Sequence, residues 1–415
     1  MKYGISATVF PLVLVLASTS TMATSATKSV ARGTSLPRKS LGNSDMMVTE
    51  VCAGTMTWGS FVKEQEAAHA ELDKFAEMGV NFLDTAELYP VAFDYGKTTE
   101  TWIGNWLEAR IAAGAIARKD FYIATKCNMN GVGLDGQTHD YSAEKLQASA
   151  RASIARMKCE YIDLFYLHYP SRKGAAVFGW GSYGSPERYA AARTSAGDMA
   201  DFERQVSAIK RLYDLGLIKH WALSNEDAYG VTMFCLAADK LGVPRPTCIQ
   251  NDMSLNERQF EGDVAEACHH FGVVGLPYGV LSGGTLTGKY LRGQDTPNSR
   301  HTRVPEFQSR YNSPLAVEAT KAYVALAEEW GLTPTELAIA WARDRWYNFG
   351  VITGTTSVEQ VEECVNAFKL APLPTELNAA VDRIHERYRS PSTALVDKDE
   401  HGKAPWLAKE EAACV

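Results

Sequence analysis

Short apolar runs alternate along the chain with longer stretches in which apolar residues recur every three or four positions. The runs fall at residues 49–59, 81–87, 121–127, 162–168, 221–225, 248–253, 272–278 and 350–354. Each is brief, rich in β-branched, aromatic or Cys residues, and bounded by Gly, Pro or polar positions, as buried strands are. Helical spacing fills residues 64–78, 99–113, 142–157, 198–215 and 358–368, with further helices ending near 241 and 271. Gly79 and Gly216 stop two of them. Two consecutive helical runs, 314–330 and 334–345, precede the last strand, and 376–388 is one more. Regular strand–helix alternation predicts a parallel sheet. Eight repeats predict an α/β fold of the (β/α)8 or TIM-barrel type, with extra C-terminal helices and an N-terminal extension. A doubly wound sheet is the competing architecture. It expects a glycine fingerprint directly after an early strand, which is missing here. The literal G-x-G-x-x-G at Gly131, Gly133 and Gly136 runs into QTHDYS rather than a helix and reads as a loop.

The barrel is expected over residues 40–390, with a polar tail at 391–415 and a leader at 1–39. Residues 1–44 contain no Asp or Glu. Lys2 precedes an apolar run at 9–17 that is too short to span a bilayer, and a Ser/Thr/Ala-rich stretch with Lys28 and Arg32 follows. A charged start and a short apolar run resemble a secretory signal; the acid-free, hydroxyl-rich continuation resembles a transit sequence to a plastid or mitochondrion. A disordered tail, with the folded part cytoplasmic, is the alternative.

Composition changes little in this picture. The chain has 415 residues, 46% hydrophobic and 22% charged, with a net charge of -7, so no basic footprint for nucleic acid or a membrane surface shows. Its eight cysteines include no C-x-x-C pair, and Cys52, Cys127 and Cys248 sit in strand-like runs as small buried hydrophobes. Neither a disulfide framework nor a metal site is expected. His269 and His270 are adjacent on a helix, hence not on one face.

The candidate chemistry lies where the strands end. In a parallel barrel all strand C-termini converge on one face. Asp84 ends the second strand and Tyr89 stands on its loop; Lys126 ends the third and His168 the fourth. Taken singly, Lys126 reads as surface, His168 as a satisfied core histidine and Tyr89 as a packing residue. Together they suit carbonyl chemistry. A phenol titrates near 10, a nearby ammonium is expected to lower that value, and a carboxylate holds the ammonium. The phenol then gives its proton to a carbonyl oxygen, and an imidazole orients that oxygen.

Read together, GTMTWG, FLDTAELYP, ATKC, DLFYLHYP, WALSNE, IQNDMS, GVLSGGTLTGKY and GTTSVEQVEEC resemble the aldo-keto reductase family, in family order from about residue 40 to 388. Within it the chain is most similar to bacterial oxidoreductases related to potassium-channel β subunits. The resemblance implies an NADPH-dependent reductase of a small-molecule aldehyde or ketone. Tyr89 is then the proton donor, Lys126 and Asp84 its tuning pair, and His168 the group that orients the carbonyl. It further implies Thr57 and Trp58 beside the nicotinamide, with Ser224, Asn225 and Gln250 on its carboxamide and Tyr278 stacked on its ring. Gly279, Leu281 and Gly283 would follow the pyrophosphate, and Lys289 and Arg300 the 2′-phosphate. Gly354, Thr356, Gln360 and Glu363 would face the adenine. No metal is implied.

The chain departs from the family at Cys364, where Asn is usual, with Asn366 two residues on. Residues 171–197, with Phe178, Trp180 and Tyr183, form an insertion on the expected site face, either a wall of the substrate pocket or a surface loop. Residues 283–289 nearly spell a P-loop, but Tyr290 stands where a magnesium-binding hydroxyl belongs. The competing function is a barrel that holds NADPH and regulates a partner. A barrel hydrolase lacks its metal ligands and paired carboxylates.

Overall fold

Eight parallel strands form the sheet: β3 (Val51–Gly54), β4 (Phe82–Asp84), β5 (Tyr122–Cys127), β6 (Ile162–Leu167), β7 (Ile218–Ser224), β8 (Cys248–Gln250), β9 (Val274–Gly275) and β10 (Val351–Gly354). They follow β1 (Arg38–Ser40) and β2 (Met47–Thr49), which pair antiparallel. The computed structural model describes residues 28–90, 98–127, 141–171, 198–291, 296–297, 299–305 and 307–392. Residues 1–27 of the leader, the glycine run at 131–136, nearly all of the 171–197 insertion and the tail from 393 lie outside them.

The hydrogen-bonded order runs β10-β3-β4-β5-β6-β7-β8-β9. The ring closes where Phe349 N donates to Gly275 O at 2.8 Å and Ile352 N to Pro277 O at 2.9 Å. All eight expected core strands are present, and the fold is the (β/α)8 barrel. Period two sorts their side chains. Cys52, Phe82, Ala124, Leu164, Tyr166, Ala222 and Cys248 form one buried cluster, the barrel interior. The alternate positions Val51, Ala53, Leu83, Ile123, Phe165, Trp221 and Ile249 belong to the larger cluster under the helices. Both faces are therefore apolar, which is why the strands read as near-continuous runs.

The described α-helices are α1 (Gln65–Glu77), α2 (Thr98–Ala112), α3 (Ala143–Met157), α4 (Asp198–Asp214), α5 (Ala228–Leu241), α6 (Asp263–Phe271), α7 (Arg300–Arg303), α8 (Pro314–Glu329), α9 (Pro334–Arg343), α10 (Val358–Ala367) and α11 (Thr375–Arg387). Their ends carry their own signals. Thr333 and Glu336 form a capping box ahead of α9, and Gly242 and Gly272 turn left-handed after α5 and α6. No helix among the described residues is long and apolar enough to cross a membrane.

The described chain is already tied down at residue 28, ahead of the barrel start expected at residue 40. Lys28 pairs with Glu329 and Arg32 with Glu336, and Gly33 N donates to Lys369 O at 2.6 Å. The β1–β2 hairpin then sends Leu41, Met46 and Val48 into the interior cluster. Its turn at Gly42 lies against the Thr247 carbonyl, just ahead of β8. The hairpin thus floors the N-terminal mouth and leaves the opposite mouth for chemistry. Between β9 and α8 the described residues hold two 3-10 turns, Ser282–Thr287 and Ser309–Asn312, besides α7.

Helices α2 and α3 approach unusually closely at Gly104, where a Cβ would lie 2.2 Å from the Arg156 carbonyl oxygen. Both sides of that contact are backbone, so neither yields easily. Gly104→Ala is expected to destabilise the protein by about 1–3 kcal/mol, read as a lower urea midpoint at unchanged slope.

Candidate active site

Asp84 ends β4, Lys126 is second from the end of β5, and Gln250 ends β8. The parallel register brings these ends together. Lys126 Nζ donates to Asp84 Oδ2 at 2.6 Å and to the Thr85 carbonyl at 2.8 Å. Gln250 Nε2 donates to the other carboxylate oxygen at 2.7 Å. Tyr89 Oη lies 3.4 Å from Lys126 Nζ. The ammonium also sits over two rings, 5.0 Å from the centroid of Tyr89 and 5.6 Å from that of Tyr166. All of these side chains are buried.

The expected lowering of the phenol is not what this arrangement produces. Burial first, then the Asp84 carboxylate, push the Tyr89 phenol well above its usual value. The physical reason is geometric. Lys126 spends its charge on Asp84 and Thr85 at shorter range, and a phenolate would also face the carboxylate. Burial likewise raises Asp84, against the pull of Lys126 and then Gln250.

His168 follows β6 and is buried. Its ring stacks on Tyr169 with centroids 4.3 Å apart and meets Tyr89 edge-on at 6.0 Å. Tyr141 fixes that neighbour: its hydroxyl donates to the Tyr169 carbonyl at 2.8 Å and accepts from the Tyr169 N–H at 3.1 Å. Asn225, held at a left-handed φ of 59°, donates from Nδ2 to the His168 carbonyl at 2.9 Å and accepts the Tyr278 hydroxyl at 2.8 Å. Ser224 donates to the Gln250 carbonyl at 3.0 Å. Ser224, Asn225, Gln250 and Tyr278 therefore belong to the same rim as the four candidate catalytic groups.

Thr57 and Trp58 follow the end of β3, and their side chains are buried. The Trp58 indole points toward Glu71 of α1 at 3.4 Å and packs in the core under the helices, and Thr57 donates to the Thr355 carbonyl at 2.7 Å. The turn after β3 folds both side chains back against α1 and the end of β10. Met56 is the side chain from this turn that packs with Ala86, Leu88, Tyr89 and Tyr169. Motif spacing alone did not reveal it, since a Met between two Thr residues carries no polar signal. Tyr169 was legible only as the neighbour of His168.

A second cluster lies on the far side of Tyr278. Gly279, Gly283 and Gly284 all adopt left-handed φ values, of 75°, 64° and 100°. A Cβ at Gly283 would lie 2.7 Å from His301 Nε2, and one at Gly284 2.8 Å from Lys289 Nζ. Leu281 starts the 3-10 turn that holds these glycines and is half-buried. Burial and then the charge of Arg300 lower Lys289; burial lowers Arg300. Neither ring nitrogen of the buried His301 makes a hydrogen bond among the described residues. Neighbouring buried cations, a bare imidazole and a side-chain-free backbone fit an anionic, phosphate-bearing group. Gly354, Thr356 and Glu363 are exposed at the adjoining end of β10 and start of α10. Gln360 closes that turn by accepting from Thr356 N at 3.0 Å. Cys364 is buried among the helices, whereas Asn366 is exposed.

A closed parallel barrel with an Asp–Lys–Tyr–His set on its C-terminal rim is the frame of a carbonyl oxidoreductase. Residues 50–386 match the Aldo/keto reductase family, and the chain belongs to it. Its relatives include Protein tas of Escherichia coli, 32% identical over 84% of this chain and 98% of that protein. A probable voltage-gated potassium channel subunit beta of Arabidopsis thaliana is 26% identical over 85% of this chain and 96% of that protein. A probable aryl-alcohol dehydrogenase of Saccharomyces cerevisiae is 24% identical over 77% of this chain and 87% of that protein. The protein is accordingly an oxidoreductase, of a family that works with NAD(P)H.

His301 makes the cluster sensitive to acid. Burial, then Arg300, and at smaller weight Lys289 and Arg310, lower its imidazole to about 4. The unfolded chain takes up this proton first as pH falls below about 6.5, so stability is full above that value and is lost towards pH 4. Between pH 7 and 5 the loss expected from this group is about 2 kcal/mol. Urea unfolding of wild type and His301→Phe at both pH values checks it: the variant should lack that share of the acid destabilisation.

Proposed function

We propose that the protein reduces aldehyde or ketone carbonyls to alcohols with NADPH, Tyr89 giving the proton. The observation that carries this reading is the Tyr89 hydroxyl 3.4 Å from an ammonium that Asp84 holds at 2.6 Å. The bound dinucleotide supplies the hydride. The chain's own groups manage the proton. A phenol raised by burial stays protonated across the neutral range, so the donor is always loaded. As negative charge builds on the carbonyl oxygen, that oxygen becomes the stronger base and takes the proton. The phenolate left behind faces Lys126, which is already oriented and needs no reorganisation. His168, edge-on to Tyr89, orients the carbonyl oxygen. Ser224, Asn225 and Gln250 hold the carboxamide and Tyr278 backs the nicotinamide. Gly279, Leu281 and Gly283 follow the pyrophosphate, Lys289 and Arg300 the 2′-phosphate, and Gly354, Thr356, Gln360 and Glu363 the adenine.

Two further features support the reading. Paired cations at Lys289 and Arg300 favour NADPH over NADH, because only NADPH offers them a phosphate. The apolar and aromatic lining of Met56, Leu88, Tyr89 and Tyr169 suits an aromatic aldehyde, in keeping with the aryl-alcohol dehydrogenase name of the yeast relative. The likeness to the Arabidopsis channel subunit favours a second reading, an NADPH-holding regulator.

One assay separates them. With NADPH and a panel of aromatic aldehydes, Tyr89→Phe is expected to lower kcat by about 10²- to 10⁴-fold while NADPH binding is kept. Equal, near-zero rates in wild type and variant, with tight NADPH binding, would support the regulator instead. Lys289→Met is expected to weaken NADPH by roughly tenfold and leave NADH unchanged in fluorescence titrations.

A further inference from the structure

The turn that carries Tyr89 is held from behind by charges that do not touch the reacting groups. Glu87, two residues before Tyr89, is buried. One of its carboxylate oxygens accepts from the Ser149 hydroxyl of α3 at 2.7 Å, and the other lies 3.6 Å from Arg156 Nη2. Arg156 Nε donates to Glu100 Oε2 of α2 at 2.6 Å. The second oxygen of Glu100, itself fully buried, accepts the Thr125 hydroxyl at 2.6 Å. Thr125 adjoins Lys126 on β5. A single guanidinium therefore lies between a carboxylate two residues from the phenol and a carboxylate bonded to the neighbour of the ammonium.

Two further contacts make this arrangement stiff. Glu87 N donates to the Lys126 carbonyl at 3.1 Å, so the turn is sewn directly to β5. The close approach at Gly104 sets the Arg156 backbone against α2, so the side chain starts from a fixed point one turn from Glu100. Lys126 is secured independently, through Asp84 and Thr85 at the end of β4. The separation of Tyr89 Oη from Lys126 Nζ, at 3.4 Å, is the longest of the hydrogen-bond contacts at this ammonium and depends on where the turn is seated.

We propose that Arg156 is a positioning residue for proton transfer, setting the Tyr89–Lys126 separation through Glu87 and Glu100. The proposal rests on the reading of Tyr89 as proton donor. Without the guanidinium, the fully buried Glu100 loses the cation bonded to it and the link from Glu87 to α2 is cut, so the turn shifts. Displacement of a reacting group by about 1 Å costs on the order of 10²-fold in rate.

The test is steady-state reduction of an aromatic aldehyde with NADPH, expressed per NADPH-binding site, below the melting temperature of every variant. Arg156→Met is expected to lower kcat about 10- to 100-fold, with aldehyde KM and NADPH affinity within about twofold of wild type. Arg156→Lys, which restores the charge, recovers part of the loss. Glu87→Gln, which keeps an acceptor for Ser149, loses about 3- to 10-fold in kcat. A purely structural role predicts lower melting temperatures with wild-type kcat per binding site, and that result overturns the proposal. If Arg156→Met does not fold, wild-type kcat in both Arg156→Lys and Glu87→Gln overturns it equally. Tyr89→Phe, run alongside, separates the two levels. An active Tyr89→Phe removes the proton-donor reading itself; an inactive one beside fully active Arg156 and Glu87 variants removes only the strut.

Discussion

Lys126 holds a positive charge where water does not reach, and most of the rim can be read as the means of keeping it there. An ammonium out of solvent is tolerated only when its counter-charge and remaining donors are matched in place. Asp84 supplies the charge, the Thr85 carbonyl a second acceptor, and Gln250 ties down the carboxylate oxygen that Lys126 leaves open. Those partners come from the ends of β4 and β8, which lie apart in the sheet order and meet only because the ring is closed. Barrel closure, strand register and the buried ion pair are thus one constraint. A one-residue slip of β5 would turn Lys126 out toward the helices and put Thr125 or Cys127 in its place.

The same constraint explains what was legible in the sequence. Strands with both faces buried must be apolar nearly throughout, so a polar residue at their end stands out. That is why Asp84, Lys126 and His168 were visible as a set before any coordinates. The eight-fold alternation was visible for the same reason. The β1–β2 hairpin was not, because RKS and MVT are too short and too mixed to show a period. Its contribution lies in Leu41, Met46 and Val48, which look like isolated surface hydrophobes until the barrel floor is present. The turn after β3 is a different case. GTMTWG marked the right place, yet whether Trp58 or Met56 faces Tyr89 depends on how the turn folds back onto α1, and tertiary contacts decide that.

The phosphate-side cluster follows a separate logic. Gly283 and Gly284 lack side chains where His301 and Lys289 press against the loop. Among the described residues neither Lys289 nor Arg300 forms an ion pair, the reverse of the pairing around Lys126. Concentrated positive charge lowers local stability, and an anionic partner would compensate it. Arg310 shows the contrast. It sits close by but is matched by Asp252 at 2.6 Å, with Tyr311 donating to the same carboxylate. That matched group has its counter-charge already, whereas burial and then Arg300 lower Lys289, and burial lowers Arg300.

The height of the Tyr89 phenol is the point at which simple reasoning from residue types went astray, and it sharpens the chemistry. A neighbouring cation lowers a phenol only to the extent that its field is not already neutralised, and Lys126 is neutralised by Asp84 at close range. A low value would have left part of the tyrosine ionised and useless as an acid. A raised value keeps the proton in place until something more basic than a buried phenolate forms beside it. On the proposed reading, an alkoxide-like oxygen formed beside Tyr89 would be such a base. The Asp84–Lys126 dipole then acts on the difference between the two states rather than on the resting one. On the proposed reading of Tyr89 as the proton donor, such a group would release its proton only when the carbonyl carbon is already being reduced, coupling the two transfers without a phenol that is acidic at rest.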